Sequence, residues 1–298
     1  MKLSFLLGLL VFASSVLSFA QEIDLFAEES DQKAQTFIKT AFKTTRIING
    51  QSIENTGRGV LDLKIMHRFG PLNQGAYELF GLDQATMRIG LDYGVLDRLT
   101  VGVGRSTYQK QFDGFAKYKL IRQQTGKYSI PISVSYAGTL IYRSLKSTAA
   151  FPENESDRFS FAHQILIARK FSDYFSFQLT PTLIHYNIVP ASNIPNDLMS
   201  LGIGFRQRLS RRVNLTGEYF YRINKLPGFQ DALSIGFDIE TGGHVFQLHF
   251  TNSTGMTERT FINETSGSWN NGDVRFGFNI ARVFTIVKPK ELKSSKTR

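Results

Sequence analysis

The chain has no cysteine among its 298 residues. Disulfide bonds, thiol chemistry and cysteine-ligated metal sites are therefore excluded as sources of stability or activity. The sequence also lacks an apolar run of about 20 residues, the length that a membrane-spanning helix requires. If the protein spans a membrane, the sequence predicts that it does so with the strands of a barrel.

The first twenty residues have the pattern of a secretory signal peptide. Lys2 supplies one positive charge, an apolar core runs from Leu3 to Val16, and small residues end at Ala20. This pattern predicts export with cleavage after Ala20. Residues 1–20 are therefore expected to be absent from the mature protein.

The formal net charge is +10, and part of it lies in a basic C-terminal tail at residues 285–298. The basic residues of this tail are Lys288, Lys290, Lys293, Lys296 and Arg298. We expect the tail to be solvated or to face anionic lipid. Nucleic acid is not an expected partner, because the chain is predicted to be exported and has no module that combines basic and aromatic residues.

Apolar and polar residues alternate from residue 59 to residue 284, in segments of about ten that are separated by Gly, Asn, Asp and Ser. In one such segment, Met87, Ile89 and Leu91 share one face and polar residues share the other. Segments of this length are typical of tilted strands that cross a bilayer. The sequence therefore predicts an all-β fold, a transmembrane antiparallel up-and-down β-barrel of about twelve strands. The predicted strands are 59–69, 85–93, 99–108, 114–123, 130–142, 158–170, 174–187, 199–209, 213–223, 232–240, 244–252 and 273–284.

Short and long connections alternate along most of this region. Bacterial outer-membrane barrels have short periplasmic turns and longer external loops, so the alternation predicts an outer-membrane location with both termini in the periplasm. The last predicted strand ends at Phe284, similar to the aromatic-ended closing strands that the barrel assembly machinery reads. Outer-membrane lipid and this machinery are therefore the expected partners, with small solutes as possible ligands.

Residues 21–58 precede the barrel and allow two interpretations. Ser30 is a possible helix cap, followed by Ala34, Phe37, Ile38, Ala41 and Phe42 on one face. The β-branched stretch 44–48 instead favours a strand or an insert in the lumen. The favoured prediction is a periplasmic helix followed by an extended segment at the barrel mouth, with a lumen plug as the alternative.

The alternation assigns fourteen charged residues to the inner face of the wall. They are Asp62, Lys64, Arg68, Arg88, Asp92, Lys117, Lys119, Arg206, Arg208, Glu218, Arg222, Asp238, Glu240 and Arg275. One interpretation is a small passive pore or uptake channel with a mildly anion-preferring lumen, because rings of charge set pore selectivity. The other is a filled barrel in which opposite charges pair across strands. Barrels of about eight strands are just filled by side chains and those of 16 to 18 strands leave a channel, so twelve strands leave both open.

Enzymatic activity has little support in the sequence. The five histidines lack metal-binding spacings, and no cofactor motif is present, so neither a metal nor a cofactor is expected. An outer-membrane hydrolase built around His163 and His185, on neighbouring predicted strands, is the weakest of the alternatives. A structural or ligand-binding barrel that acts through external loops 70–84 and 253–272 is the stronger alternative to a pore.

Two stretches resemble a family of bacterial barrels. The first runs from Ala41 to Glu54 (AFKTTRIINGQSIE) and continues in GVLDLKIMHRFG at 59–70, and the second is FGLDQATMRIGLDYG at 80–94. They are similar to an uncharacterised Bacteroidetes-type family, domain of unknown function 5777. The resemblance implies a barrel in the outer membrane, and it supplies no activity, ligand or catalytic residue.

Overall fold

The computed structural model describes residues 36–146, 154–189 and 193–287, and everything below concerns these residues. The predicted signal peptide, Ser30 and Ala34 of the predicted helix, and all five basic residues of the tail lie outside them. Twelve antiparallel strands pair with their neighbours and close into a barrel. The predicted fold class and strand number are confirmed.

The strands begin and end close to the predicted bounds. In chain order they are β1 (Thr36–Phe37), β2 (Val60–Pro71), β3 (Ala85–Leu96), β4 (Leu99–Ser106), β5 (Gln111–Ile121), β6 (Gln124–Thr125), β7 (Ser133–Arg143), β8 (Phe159–Lys170), β9 (Phe175–Tyr186), β10 (Asp197–Arg208), β11 (Val213–Arg222), β12 (Ala232–Thr241), β13 (His244–Thr251) and β14 (Arg275–Thr285). β1 and β6 pair only with each other, and the other twelve form the barrel, which closes through β14 and β2.

The two ends of the barrel differ in their connections. At one end, called here the short-turn end, two residues join β3 to β4 and two join β12 to β13. At the other, the long-loop end, the connections contain 3₁₀ helices at Leu72–Gln74, Ala76–Gly81, Tyr108–Lys110 and Glu155–Arg158, and a π-helix at Arg259–Asn263. None of the described helices is long and apolar enough to cross a membrane.

The wall of the barrel has an apolar outer face and a polar inner face. Along β3, for example, Ile89 and Leu91 are exposed, whereas Arg88, Gly90 and Asp92, which alternate with them, are buried. The same alternation recurs in the other barrel strands, because successive side chains of a strand point to opposite faces. An apolar exterior around a polar interior is the arrangement of a barrel that lies in a membrane.

The connection between β5 and β7 differs from the prediction. The sequence predicts a four-residue turn at 124–127 and a strand from 130, but β7 begins at Ser133. Residues 122–132 instead hold β6, and Gln124 also bridges to Ile130. The added pairing with β1 uses backbone groups that a simple turn would leave to solvent, and it fixes the N-terminal segment at the short-turn end.

The helix predicted in the N-terminal segment is absent from its described part. Thr36 and Phe37 form a strand, the Ile38 N–H donates to the Gln123 carbonyl at 3.0 Å, and Ala41 and Phe42 are buried without helical structure. Pairing with β6 and hydrogen bonds from the Ala41 and Phe42 N–H groups to the Glu54 carboxylate replace the hydrogen bonds that a helix would form. Tertiary packing thus overrides the local helical pattern.

Candidate functional site

The candidate site is the lumen, and the structure places the predicted charged residues around it. Ten of the fourteen are buried inside the barrel: Asp62, Lys64, Arg68, Arg88, Asp92, Lys117, Arg206, Glu218, Arg222 and Asp238. The other four, Lys119, Arg208, Glu240 and Arg275, are partly exposed towards the barrel ends. These buried charges lie on β2, β3, β5, β10, β11 and β12, whereas the neighbouring strands β7, β8 and β9 carry none of them.

Sequence reasoning missed one buried charged residue of the described wall. Asp113 is buried and forms an ion pair with Arg88, both side chains being fully enclosed. The predicted strand begins at residue 114 and leaves Asp113 in a loop, whereas β5 begins at Gln111. A strand begun three residues earlier would have placed Asp113 on the inner face with Lys117.

A hairpin of the N-terminal segment fills the lumen from the short-turn end. Residues 41–56, called here the lumen hairpin, are almost entirely buried. Arg46 pairs with Gln51 in antiparallel fashion, and the Ile47 N–H donates to the Gly50 carbonyl at 2.8 Å. The turn at 47–50 is therefore the tip of the hairpin, and both of its ends return to the short-turn end.

The tip of the hairpin is held by one carboxylate of the wall. Glu218, near the middle of β11, accepts backbone N–H hydrogen bonds from Ile48, Asn49 and Gly50 at 3.2, 2.8 and 3.0 Å. Three successive N–H groups that converge on one acceptor form an anion-binding concavity. The negative charge of Glu218 is thus satisfied by the hairpin backbone itself.

Neutral side chains of the wall bind the carbonyl groups near the tip. The side-chain amides of Gln247, Asn279 and Gln178 donate to the carbonyls of Ile47, Ile48 and Gln51 at 2.7, 2.9 and 2.8 Å. Gln178 also accepts the Ile53 N–H at 2.7 Å. These amides supply the hydrogen bonds that the short hairpin cannot supply for itself, which buried backbone groups require.

Charged side chains of the wall complete the contacts with the hairpin. The Lys117 ammonium donates to the carbonyls of Thr45 and Ser52 at 3.3 and 3.0 Å. Arg68 donates to the Asn49 side-chain oxygen at 2.8 Å, and the Thr45 hydroxyl donates to Asp92 at 3.0 Å. Lys64 bridges Asp62 and Asp92 beside them.

An apolar cluster joins the hairpin to one side of the wall. Phe42, Ile47 and Ile53 of the hairpin pack with Ala137 and Leu166, which point inward from β7 and β8. Burying such side chains stabilises by about 1.5 to 3 kcal/mol each. The hairpin is therefore held by apolar packing on one side and by polar contacts on the others.

The loop between β13 and β14 fills the lumen from the long-loop end. Residues 253–265, called here the lumen loop, are buried except for Thr254, which is half-buried. Phe261 and Ile262 of its π-helix pack with the inward-facing Phe220, Ile184 and Leu198. The sequence-based expectation that the whole loop 253–272 faces outward is therefore corrected for this part, because the wall offers its aromatic and aliphatic side chains an apolar surface.

The lumen hairpin and the lumen loop meet inside the barrel. Arg46 of the hairpin donates to Glu258 of the loop at 3.2 Å, and the two side chains are 2% and 0% exposed. Arg46 also donates to the carbonyl of Asn49 at 2.7 Å. This ion pair links the two segments that enter the lumen from opposite ends.

After the lumen hairpin, the chain passes out of the barrel across a glycine of β3. The Gly59 N–H donates to the Gly94 carbonyl at 2.8 Å, and Arg58 forms a parallel bridge to Gly94. A Cβ at Gly94 would lie only 1.9 Å from the carbonyl oxygen of Gly57. Glycine is thus required here so that the chain can cross the rim before β2 begins.

The two histidines of the hydrolase hypothesis point away from the lumen. His163 is exposed on the outer face and contacts the Tyr136 hydroxyl at 2.6 Å, and His185 contacts Asp197 at 2.8 Å. Within the described part of the chain, neither ring has a serine among its hydrogen-bond partners. The described residues also include no group of three or more His, Asp or Glu side chains that could hold a metal ion.

The fold and its polar, occupied lumen define a membrane-bound β-barrel. The family model of the membrane bound beta barrel domain DUF5777 matches residues 42–284. The chain belongs to this family, and the match extends over both the lumen hairpin and the barrel. The family that the sequence resemblance indicated is therefore confirmed.

Solved structures show similar barrels at low sequence identity. The NanC porin is 7% identical with a TM-score of 0.47, and the match covers 75% of this chain and 98% of that one. The KdgM porin is 9% identical with a TM-score of 0.46, and the match covers 76% of this chain and 99% of that one. An outer membrane channel from Pseudomonas putida F1 is 10% identical with a TM-score of 0.44, and the match covers 78% of this chain and 97% of that one. No well-characterised protein matches the chain in sequence.

Proposed function

We propose that the protein is an outer-membrane channel for small solutes that is closed at rest by its lumen hairpin. The observation that supports this most directly is the composition of the inner wall. Its buried side chains are predominantly polar and charged, although burying paired charges contributes little or nothing to stability compared with apolar packing. A wall of this kind remains compatible with water when the hairpin leaves, as the wall of a pore must be.

The connectivity of the hairpin supports its role as a plug. Both ends of residues 41–56 lie at the short-turn end, where Ile38 and Gly59 are hydrogen-bonded to the rim. The hairpin can therefore leave the lumen as one unit without threading the chain through the barrel. In the proposed orientation the short-turn end faces the periplasm, so the plug is released towards the periplasm.

The charge of the wall supports an anion preference. With Asp113 added, the predicted set of inner-face residues holds nine basic and six acidic side chains. The charged groups of Glu218 and Lys117 are now occupied by the hairpin, because they form hydrogen bonds with its backbone. Without the hairpin, the net positive wall would attract small anions, as charged rings do in other pores.

The experiment is a planar-bilayer recording of three forms of the refolded protein. They are the mature chain, a deletion of residues 41–56, and that deletion combined with replacement of residues 255–265 by a short Gly-Ser linker. We expect the mature chain to be silent, the first deletion to show a small anion-preferring conductance, and the second to show a larger one. Resistance of the folded barrel to unheated SDS checks that each form is folded.

Three results would contradict the proposal. Silence of both deletion forms, when folded, would mean that the barrel is a filled structure and not a channel. Conductance in the double deletion alone would show that the lumen loop, and not the hairpin, closes the pathway. A preference for cations in the conducting forms would contradict the assignment of the basic wall residues to the pathway.

A second candidate function is binding of a partner through the loop between β2 and β3. Tyr77 is 93% exposed, Leu79 and Phe80 are each 54% exposed, and the latter two have positive φ values of 46° and 53°. Left-handed conformations cost such residues about 1 to 2 kcal/mol each, and this strain presents large apolar side chains to the surroundings. Cross-linking in cells would test it: replacing the three residues by serine should abolish a specific cross-linked product, and an unchanged pattern would exclude the loop.

A further inference from the structure

A cavity of about 380 Å³ lies at the short-turn end, where the N-terminal segment meets the end of β5. It is called here the entry cavity. Residues 38–41 and 53–54 line it on the side of the N-terminal segment, and residues 119, 122, 123 and 133 line it on the side of the wall. Its volume lies within the range of small-molecule binding sites.

The charged residues that line the entry cavity are mostly basic. They are Lys39, Lys119 and Arg122, against the single acidic residue Glu54, so two positive charges are in excess. Within the described part of the chain, none of the three basic side chains forms an ion pair or a hydrogen bond. Their charges are therefore free to bind an anion.

The three basic side chains are also accessible. Lys39 is exposed, and Lys119 and Arg122 are half-buried. The guanidinium carbon of Arg122 lies 4.3 Å from the centre of the Phe37 ring. A guanidinium that stacks on a ring keeps the N–H groups in its plane available for a carboxylate or a phosphate.

The other polar groups of the lining already have partners. The Gln123 side chain donates to the Lys170 carbonyl and accepts the Lys170 N–H, both at 2.9 Å, and the Ser133 hydroxyl accepts the Gln123 N–H at 2.9 Å. The Glu54 carboxylate accepts the N–H groups of Ala41 and Phe42 at 2.6 and 3.2 Å. The basic groups are thus what the cavity offers to a ligand.

The excess of positive charge is local to the entry cavity. A neighbouring cavity of about 490 Å³ also opens at the short-turn end, and its charged lining is Lys43 and Arg212 with Glu54, Asp62 and Glu240. Lys43 and Glu240 form an ion pair there at 2.7 Å. Acidic residues therefore outnumber basic ones in that cavity, which does not favour an anion.

We infer that the entry cavity binds a small organic molecule with two negative charges, of the size of a four-carbon dicarboxylate. Two negative charges match the excess of the lining, and Ile38 and Ile53 of the lining offer apolar surface to a short carbon chain. The ligand would join the N-terminal segment and the lumen hairpin to the wall. The inference goes beyond the proposed channel activity, because the site exists while the hairpin occupies the lumen.

Titration calorimetry of the complete mature protein tests this inference. The probes are succinate, butyrate and succinamide, which share a four-carbon chain and carry two, one and no negative charges. The detergent is non-ionic and the buffer is Tris chloride, because phosphate or carboxylate buffers would compete for the site. An ionic strength of about 0.1 M screens attraction by distant surface charges.

The variants are K119M and R122Q, which remove one positive charge each and keep much of the length of the side chain. The matched control is K127M, because Lys127 is an exposed basic residue of the same connection between β5 and β7 that does not line the cavity. Resistance of the folded barrel to unheated SDS checks that each variant is folded.

We expect succinate to bind saturably at one molecule per barrel, and more tightly than butyrate or succinamide. Each of K119M and R122Q should weaken the binding of succinate by about tenfold or more, as the loss of a hydrogen bond between charged groups does. K127M should leave it within about twofold of the wild type, because exposed distant charges are screened.

Four results would overturn the inference. Absence of saturable succinate binding to the wild-type protein would exclude the site, and binding of butyrate or succinamide as tight as that of succinate would exclude the ligand class. Unchanged binding in both K119M and R122Q would exclude the location. An equal loss in K127M would show diffuse attraction by the rim. A silent bilayer recording bears only on the proposed channel, since calorimetry measures binding to the closed form.

Discussion

Glu218 is the residue on which the position of the hairpin tip most depends, because its carboxylate accepts three backbone N–H groups. The variant E218Q keeps the shape of the side chain but replaces one acceptor oxygen by an NH₂ group that faces the same donors. Hydrogen bonds to charged groups contribute about 1.5 to 3 kcal/mol each. We expect E218Q to lower the local stability of the hairpin by at least that amount. Hydrogen exchange of peptides from residues 41–56 measures it.

The control for this prediction is E240Q. Glu240 is a half-buried residue near the short-turn end that pairs with Lys43 and makes no hydrogen bond to the hairpin tip. Exchange at 48–50 should rise in E218Q and stay at the wild-type level in E240Q. Equal exchange in E218Q and the wild type would show that apolar packing alone holds the tip.

Asp231 makes the loop before β12 sensitive to acid. Burial raises the pKa of its carboxyl, but hydrogen bonds from Arg222 and Tyr219 lower it more, so the pKa of Asp231 lies below its ordinary value. A depressed pKa in the folded state stabilises the protein above the unfolded-state pKa, and this contribution is lost as the pH falls through the folded-state pKa.

The variant D231N should therefore be less stable than the wild type at neutral pH. The difference should shrink as the pH falls below the ordinary pKa of Asp, about 4, and disappear below the lower folded-state pKa, where the carboxylate of the wild type becomes protonated. Proteolysis of residues 223–231 at neutral and acidic pH measures it. D83N, at an exposed position of the loop between β2 and β3, is the control. A difference that is constant with pH would contradict the prediction.

Among the larger elements, the lumen loop depends on Phe261. This side chain is fully buried, and its ring lies 5.1 Å from that of Phe220 in an edge-to-face arrangement. Replacing a buried Phe by Ala costs about 3 to 5 kcal/mol through lost packing and the cavity that remains. We expect F261A to release the loop from the lumen while the twelve strands stay paired.

Limited proteolysis measures this release, because the freed loop becomes a substrate before the barrel unfolds. F250A is the matched control, since Phe250 is 43% exposed on the outer face of β13. Cleavage within residues 253–265 should appear in F261A and not in F250A. Resistance of F261A to cleavage would show that the Arg46 to Glu258 ion pair holds the loop without the apolar cluster.

The barrel strands could be predicted from sequence because each repeats one simple pattern. Alternation with a period of two, over about ten residues, is specific for a wall with one apolar and one polar face. The predicted and observed bounds of β8 differ by only one residue at the start. The predicted strand bounds were wrong in two places. The turn before β7 contains β6, which pairs with β1, and β5 begins three residues earlier than predicted and so includes Asp113.

The contents of the lumen could not be predicted in the same way. The hairpin and the lumen loop are rich in Thr, Asn and Glu, a composition typical of solvated segments. They are buried because the wall is polar too, so residues such as Gln178 and Gln247 provide the partners that water provides elsewhere. No local pattern carries this information, since each contact joins residues far apart in the chain.

For the whole molecule, the central question is whether the hairpin and the barrel unfold together. The barrel strands are joined by continuous ladders of backbone hydrogen bonds, whereas the hairpin is held mainly by side chains, an apolar cluster and the Arg46 to Glu258 ion pair. Segments with fewer stabilising contacts open before the global structure does. We therefore expect the hairpin to leave the lumen at a lower concentration of denaturant than unfolds the barrel.

A disulfide lock tests this expectation, because the natural chain has no cysteine to interfere. The side chains of Asn49 and Ser234 are in contact, with Nδ2 and Oγ 3.2 Å apart, so N49C/S234C should join the hairpin tip to β12. In moderate urea, the reduced protein should conduct in a bilayer and the oxidised protein should stay silent. The control S234C/T251C joins two neighbouring wall residues whose hydroxyls are 2.9 Å apart, and it should conduct whether oxidised or reduced. If conductance and loss of β-structure appear at the same urea concentration in the reduced lock, the hairpin is an integral part of the barrel core and not a separable plug.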